Sequence, residues 1–181
     1  FGLRQDYLLW PRLPGEADQP PQLFFRALDA LFADLQESPH RPADIRVVNH
    51  SAQQHGHVYL NAQAGPRFAR LNKRGVGRRE DLTSLLAGTL SYGAAPIWRT
   101  SNTTAQVDFI RQAVGGPQRM IALSGSNAPL RFTGAIVRRV AQQFPEVYQT
   151  TTRIHLLSSL LAAILSGDVN APMDLGNACG T

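Results

Sequence analysis

The chain alternates between stretches with helical and strand periodicity. Phe24, Ala27, Leu28, Leu31 and Leu35 recur at i, i+3, i+4, i+7 and i+11, behind Pro20-Pro21 and before Pro39. This spacing predicts an amphipathic helix lying on a sheet. Asp44 to His50, around Ile45, Val47 and Val48, reads as a short strand and Val58-Tyr-Leu60 as a second, with the polar Ser51 to His57 joining them as a hairpin. Asn61 to Arg79, rich in Gly, Pro and Arg, has no period and reads as a loop. Helical signals resume at Glu80 to Leu86. After Ile97-Trp98, Asn102 is the expected cap of a helix bearing Val107, Ile110 and Val114, stopped by Gly115-Gly116. Thr133 is the expected N-cap of the next helix, with Phe132 stapled onto Val137, Ile136, Val140 and Phe144 on its apolar face, and Pro145 at its end. Thr151 or Thr152 should cap the last helix, whose stripe is Ile154, Leu157, Leu161 and Ile164, flanked by Leu156, Leu160 and Leu165 and ended by Ser166-Gly167.

With 181 residues, 43% of them hydrophobic, the chain suffices for one sizeable core, so one compact domain or most of one is expected. The longest apolar run, Ile154 to Leu165, is broken by His155, Ser158 and Ser159 and falls short of the roughly 18 residues of a membrane span. Cys179 is the single cysteine and no secretory leader opens the chain, which together point to a cytoplasmic address. The net charge of +5 is carried by arginine, Lys73 being the only lysine. Phe1 to Gln19 is an irregular lead-in, and Asn177 to Thr181 ends without a cap, so both ends read as cut.

Four features stand above this background: Gln53-Gln-His-Gly56, Trp98, Ser126 to Gly134 with Arg131 inside it, and Asp174 to Gly180. Ser51-Ala-Gln-Gln-His-Gly-His-Val-Tyr59, Pro96-Ile-Trp98 leading to Gly115-Gly116, Ser124-Gly-Ser126, Arg131-Phe-Thr-Gly134, Pro145-Glu-Val-Tyr148 and Ser158-Ser159 through Gly167 follow one another in a fixed order. That order resembles the N-terminal, sugar-binding half of the FGGY carbohydrate kinases, and within them the xylulose kinase branch, from about Gln22 to the end.

The resemblance implies an α/β domain of the ribonuclease H-like, actin-like type, with a mixed sheet flanked by helices and incomplete at both ends. Residues 1–21 would be lead-in, 22–62 helix and hairpin, 63–100 an excursion and 101–181 a helical section. It implies ATP and Mg2+ as cofactors of the intact protein, neither held by this piece, and a ketopentose, D-xylulose foremost, as acceptor. Phosphoryl transfer rests on positioning and charge balance, so the acceptor must be gripped by fixed donors and acceptors. On the family pattern His55 contacts the sugar hydroxyls with Gln54 beside it, Gly56 lets the backbone approach, Trp98 covers a CH face, and Arg131 reaches into the pocket. A cation at a helix start opposes the helix dipole by about a few tenths of a kcal/mol, so Arg131 asks for a reason to be there. Thr100 stands where the family commonly has aspartate. No Asp-x-Gly-Thr phosphate motif occurs, the base aspartate is expected beyond Thr181, and Asp174 matches a structural stretch.

The other partners implied are the ATP-binding domain of the same protein and a homodimer, with neither nucleic acid nor membrane. Three rival readings stand beside this one. His50, His55 and His57 have strand spacing for zinc but no carboxylate or cysteine close by. Arg67, Arg70, Lys73, Arg74, Arg78 and Arg79 form a basic cluster with only Phe68 interleaved, a weak nucleic-acid signal. A sugar-binding relative without catalysis is the third.

Overall fold

A computed structural model describes residues 7–72, 80–171, 173 and 175–178. Lys73, Arg74, Arg78, Arg79, Asp174 and Cys179 lie outside the described residues.

The main core is built on β2 (His57–Asn61), a strand buried on both faces. Its side chains alternate. Val58 and Leu60 enter one cluster with Phe25, Phe68, Leu85, Leu157 and Leu160, while Tyr59 enters another with Tyr92, Ile136 and Val140. The strand's partner is not the segment before it. β2 pairs antiparallel with β4 (Thr151–Leu156), His57 opposite Leu156 and Tyr59 opposite Ile154. Ile45, Val47 and Val48 instead follow a short 3-10 turn (Pro42–Asp44) outside any strand and are exposed, Val47 by 83%. The expected hairpin is thus replaced by a long-range pair, because the threonines read as helix caps carry the β-branched pattern of a strand.

β1 (Asp18–Gln19) pairs antiparallel with β3 (Ala95–Pro96), so the described residues hold two two-stranded sheets flanked by helices. α1 (Gln22–Glu37) sends Phe25 into the main core and packs on α3 (Leu82–Leu85); the Asp29 carboxylate accepts from the backbone N–H of Leu82 (2.7 Å) and Thr83 (3.0 Å) at the start of α3. α2 (Ala64–Ala69) lies within the stretch read as loop and buries Phe68.

The helical section holds α4 (Thr104–Ala113), α5 (Pro117–Ser124), α6 (Thr133–Gln143), α7 (Pro145–Thr150) and α8 (Leu157–Ser166), followed by the short α9 (Leu175–Ala178). α4 stops where Gly115 and Gly116 take φ of 98° and 100°, left-handed values that glycine tolerates. Pro117 then starts α5, an element the periodicity did not announce, although proline at the first position and Gly125 after the end are its signals. Pro145 ends α6 and opens α7. α8 begins at Leu157, not at the threonines.

Candidate functional site

Three loops meet at one cleft of about 940 Å³, near the top of the roughly 300–1,000 Å³ typical of ligand sites. Gln53, Gln54 and His55 come from the turn before β2, Trp98 to Ser101 from the segment after β3, and Leu130 and Arg131 from the approach to α6. Of the five residues singled out from the sequence, Gln54, His55, Trp98 and Arg131 line this cleft. Gly56 does not. A Cβ there would sit 2.6 Å from Leu157 Cδ1, and the Gly56 carbonyl accepts from Leu157 N–H at 2.9 Å, so glycine is needed where the turn meets the start of α8.

His55 is the most constrained of these residues. Its φ of 65° lies in the left-handed region that few non-glycine residues enter. The ring stacks on Phe132 at 5.0 Å with 29° between planes, and Arg131 Nε–H donates to His55 Nε2 at 3.3 Å. Because Nε2 accepts, the ring is neutral in this arrangement, with its proton on Nδ1. The His55 carbonyl accepts from Thr133 Oγ1 (3.3 Å) and from His57 Nδ1 (3.0 Å). Thr133 was the expected N-cap of α6. Phe132 holds that position without a side-chain cap, and the threonine hydroxyl serves the turn instead.

The amide groups of the two glutamines are oriented by neighbours. Gln53 Nε2 donates to Gln19 Oε1 at 2.6 Å and Gln54 Nε2 donates to the Gly176 carbonyl at 3.1 Å, which leaves each Oε1 as the acceptor end. Trp98 is 54% exposed, a flat apolar face open to solvent. Thr100 spends its hydroxyl inward on the Ala17 carbonyl (3.0 Å), while Ser101 N–H donates to the Gly15 carbonyl at 2.8 Å. Among the described residues the cleft lining has two guanidiniums, Arg99 and Arg131, and no carboxylate. Gln53, Arg99 and Ser101 were not singled out individually, and only Gln53 carried a motif signal.

Behind the 97–101 segment lies a buried ionic cluster invisible to sequence spacing. Arg139 is fully buried and its Nη1–H donates to Glu16 Oε1 at 3.1 Å; Arg12 bonds the same carboxylate through its backbone N–H (2.7 Å) and guanidinium, and lies 3.5 Å from Asp18. Arg12 also donates to the Tyr92 hydroxyl and covers the Phe144 ring at 4.7 Å. Burial would push the Glu16 carboxyl up, but the bonds from Arg12 outweigh it and hold it below the usual range. Burial, with Glu16 beside it, raises Asp18. Asp18 Oδ1 and Arg139 Nε and Nη2 have no hydrogen-bond partner among the described residues.

Other candidates hold less. A hollow of about 520 Å³ between α1 and α3 contains Asp29, Asp81 and Glu80, but Asp29 is bound to backbone N–H groups of Leu82 and Thr83, Asp81 to that of Ser84, and Glu80 to Arg70. Among the described residues no three His, Cys, Asp or Glu form a metal-holding group, and His50 Nε2 lies 3.0 Å from the Ser158 carbonyl. No helix among them is long and apolar enough to cross a membrane. Of the basic cluster, Arg70 pairs with Glu80 at 2.7 Å and Arg67 bonds the Leu85 carbonyl.

Comparison with solved structures finds this fold in sugar kinases. A "xyloylose kinase" from Brucella ovis superposes on 84% of this chain and 26% of its own, with TM-score 0.61 and 16% identity. A ligand-bound xylulose kinase from Lactobacillus acidophilus covers 96% of this chain and 33% of its own, with TM-score 0.59 and 15% identity. The fold is therefore the α/β, actin-like one of these kinases. No protein-family model matches the chain. By sequence it is 33% identical over 165 residues, 91% of its length, to the probable D-xylulose kinase A of Aspergillus clavatus, and 33% identical over 162 residues to the xylulose kinase of Saccharomyces cerevisiae. The chain is a homologue of xylulose kinases, consistent with the N-terminal domain of an FGGY carbohydrate kinase. It spans 28% of the Aspergillus relative and 26% of the yeast one.

Proposed function

We propose that the chain is the sugar-binding portion of an ATP-dependent carbohydrate kinase whose acceptor is a ketopentose, D-xylulose being the one its relatives' names favour. ATP, Mg2+ and the base aspartate belong to the rest of the protein in this reading. The observation that carries it is the meeting of Gln54, His55, Trp98 and Arg131 at one cleft, in a chain homologous to xylulose kinases. The guanidinium of Arg131 is a donor, the Oε1 atoms of Gln53 and Gln54 are acceptors, and a polyol needs both kinds at fixed places. Trp98 offers an apolar face to the CH side of the sugar. Thr100, with its hydroxyl turned to Ala17, supplies none of the charge that an aspartate would, so the guanidiniums carry more of the recognition.

The test is turnover of a panel of ketoses with Mg-ATP by the intact protein. Phosphorylation of D-xylulose, abolished in both His55→Ala and Arg131→Ala, is expected. Binding of pentuloses without turnover would make it a non-catalytic sugar binder. If no ketose binds, the reading fails, and salt-dependent affinity for nucleic acid in its place would favour the basic-module rival.

A further inference from the structure

The turn that carries His55 is held from below by a second histidine that the sugar-site reading does not use. His57 is the first residue of β2, fully buried, on the same face as Tyr59. Its Nδ1 lies 3.0 Å from the His55 carbonyl and its Nε2 lies 3.0 Å from the Tyr59 hydroxyl. A carbonyl only accepts, so the proton must sit on Nδ1; the neutral ring then accepts the Tyr59 O–H at Nε2. Burial keeps the ring in that neutral form, lowering its pKa to about 4. Both nitrogens are thus committed to fixed partners.

The carbonyl being held belongs to the residue with φ of 65°. A left-handed non-glycine conformation persists only where its surroundings over-determine it. Two bonds to the His55 carbonyl, from His57 Nδ1 and Thr133 Oγ1, are determinants on the backbone side, and Phe132 and Arg131 are among those on the ring side. His57 makes the shorter of the two carbonyl bonds and sits on a strand packed on both faces. Losing that bond leaves the carbonyl with the longer Thr133 contact, a weaker hold against which the left-handed turn can relax and carry the imidazole off Phe132 and away from Arg131.

We propose that His57 is a positioning residue: its Nδ1–H fixes the left-handed turn at His55 and so sets the direction of the His55 imidazole in the cleft. The assignment rests on the sugar-site reading only for its kinetic readout. The two ring nitrogens are separable by substitution, because an asparagine amide N–H occupies the place of Nδ1 whereas a glutamine amide reaches the place of Nε2.

In the intact protein, His57→Gln is expected to raise KM for D-xylulose on the order of tenfold with a smaller fall in kcat. His57→Asn is expected to stay within about twofold of the unsubstituted protein. Crystal structures of the two variants supply a readout independent of activity: His55 should leave its left-handed φ and the Arg131 contact in His57→Gln and keep both in His57→Asn. Equal behaviour of the two variants, both silent or both impaired, would overturn the proposal, since the ring would then matter only for its volume. Should His57→Gln not accumulate as folded protein, His57→Asn decides, and a KM for D-xylulose raised about tenfold or more above that of the unsubstituted protein counts against it. If the unsubstituted protein turns over no ketopentose, the sugar-kinase reading falls alone, and the geometry of His55 in the two crystal structures still settles the role of His57.

Discussion

The cleft and the ionic cluster both adjoin one segment, residues 97–101, which lines the first and hydrogen-bonds to Gly15 and Ala17 beside Glu16 of the second, and the two treat arginine in opposite ways. Behind the segment, Arg12 and Arg139 face Glu16 and Asp18, so the positive charge is balanced within the protein. In the cleft, Arg99 and Arg131 form no salt bridge among the described residues, and Arg131 bonds a neutral imidazole. Buried charge without a counter-charge is severely penalised, whereas charge at the lip of an open cleft keeps its water until a ligand replaces it. The difference separates arginines that serve the fold from arginines left for a ligand, and substitutions on the two sides should therefore fail differently.

The largest effect is expected behind the segment. Arg139→Ala removes the fully buried guanidinium and leaves Glu16 with Arg12 as its only charged partner among the described residues, which should destabilise the intact protein by about 3–5 kcal/mol in urea unfolding. Pairing Arg139→Met with Glu16→Gln should return much of that loss, because the interior is then neutral and filled. A loss below about 1 kcal/mol for the alanine variant would mean the cluster is not the structural anchor its burial suggests.

Acid should weaken the fold through His57 as well. Its folded pKa, about 4, is below the ordinary 6.5, so as pH falls through 6.5 the unfolded chain takes up the proton first. Stability is complete above 6.5, declines between 6.5 and about 4, and levels off below, with a maximum loss of about 3 kcal/mol from this group. His155, lowered by burial, adds to the same slope. Glu16, held low, adds a loss at still lower pH, while Asp18, held high, opposes it. Urea midpoints measured against pH should show a shallower acid slope in His57→Asn; parallel slopes would contradict the buried neutral ring.

Next to the cleft residue His55 in sequence, Gly56 faces Leu157 of α8. Its absent Cβ is occupied by Leu157 Cδ1, a buried side chain with little room to yield, so Gly56→Ala should cost about 1–3 kcal/mol as an overpacking change. Full stability with weakened sugar binding would instead assign Gly56 to the cleft.

The cleft residues were more legible in the sequence than the ion cluster, and the reason is distance along the chain. Gln54, His55, Trp98 and Arg131 each sit in a short ordered motif, so their grouping was readable although their contacts were not. Glu16 and Arg139 are 123 residues apart and neither sits in a motif, so nothing local announces their pairing. The strand read at Ile45 to Val48 had the β-branched residues of a strand, but Ile45, Val47 and Val48 are 42%, 83% and 61% exposed and unpaired among the described residues. Conversely, Thr151, Thr152 and Ile154 form the strand that pairs with β2, and were hidden because the leucines of α8 continue their apolar run without a break. Propensity proposes strands, and burial chooses among them.

The smallest expected effect on stability is the one that most sharpens the contrast. Arg131 contributes a hydrogen bond at 3.3 Å to a ring already stacked on Phe132 and anchored through its carbonyl, and it stands at the start of α6, where a cation is mildly unfavourable. Arg131→Ala should therefore change the unfolding free energy of the intact protein by less than about 0.5 kcal/mol, in either direction. The same substitution removes a planar fork of donors from the cleft, which lysine does not reproduce. Arg131→Lys should accordingly unfold like the unsubstituted protein yet share most of the loss of D-xylulose binding seen in Arg131→Ala. If Arg131→Ala instead destabilises the fold as Arg139→Ala does, the division between structural and ligand-facing arginines is wrong, and the cleft is held together by the charge that was assigned to its ligand.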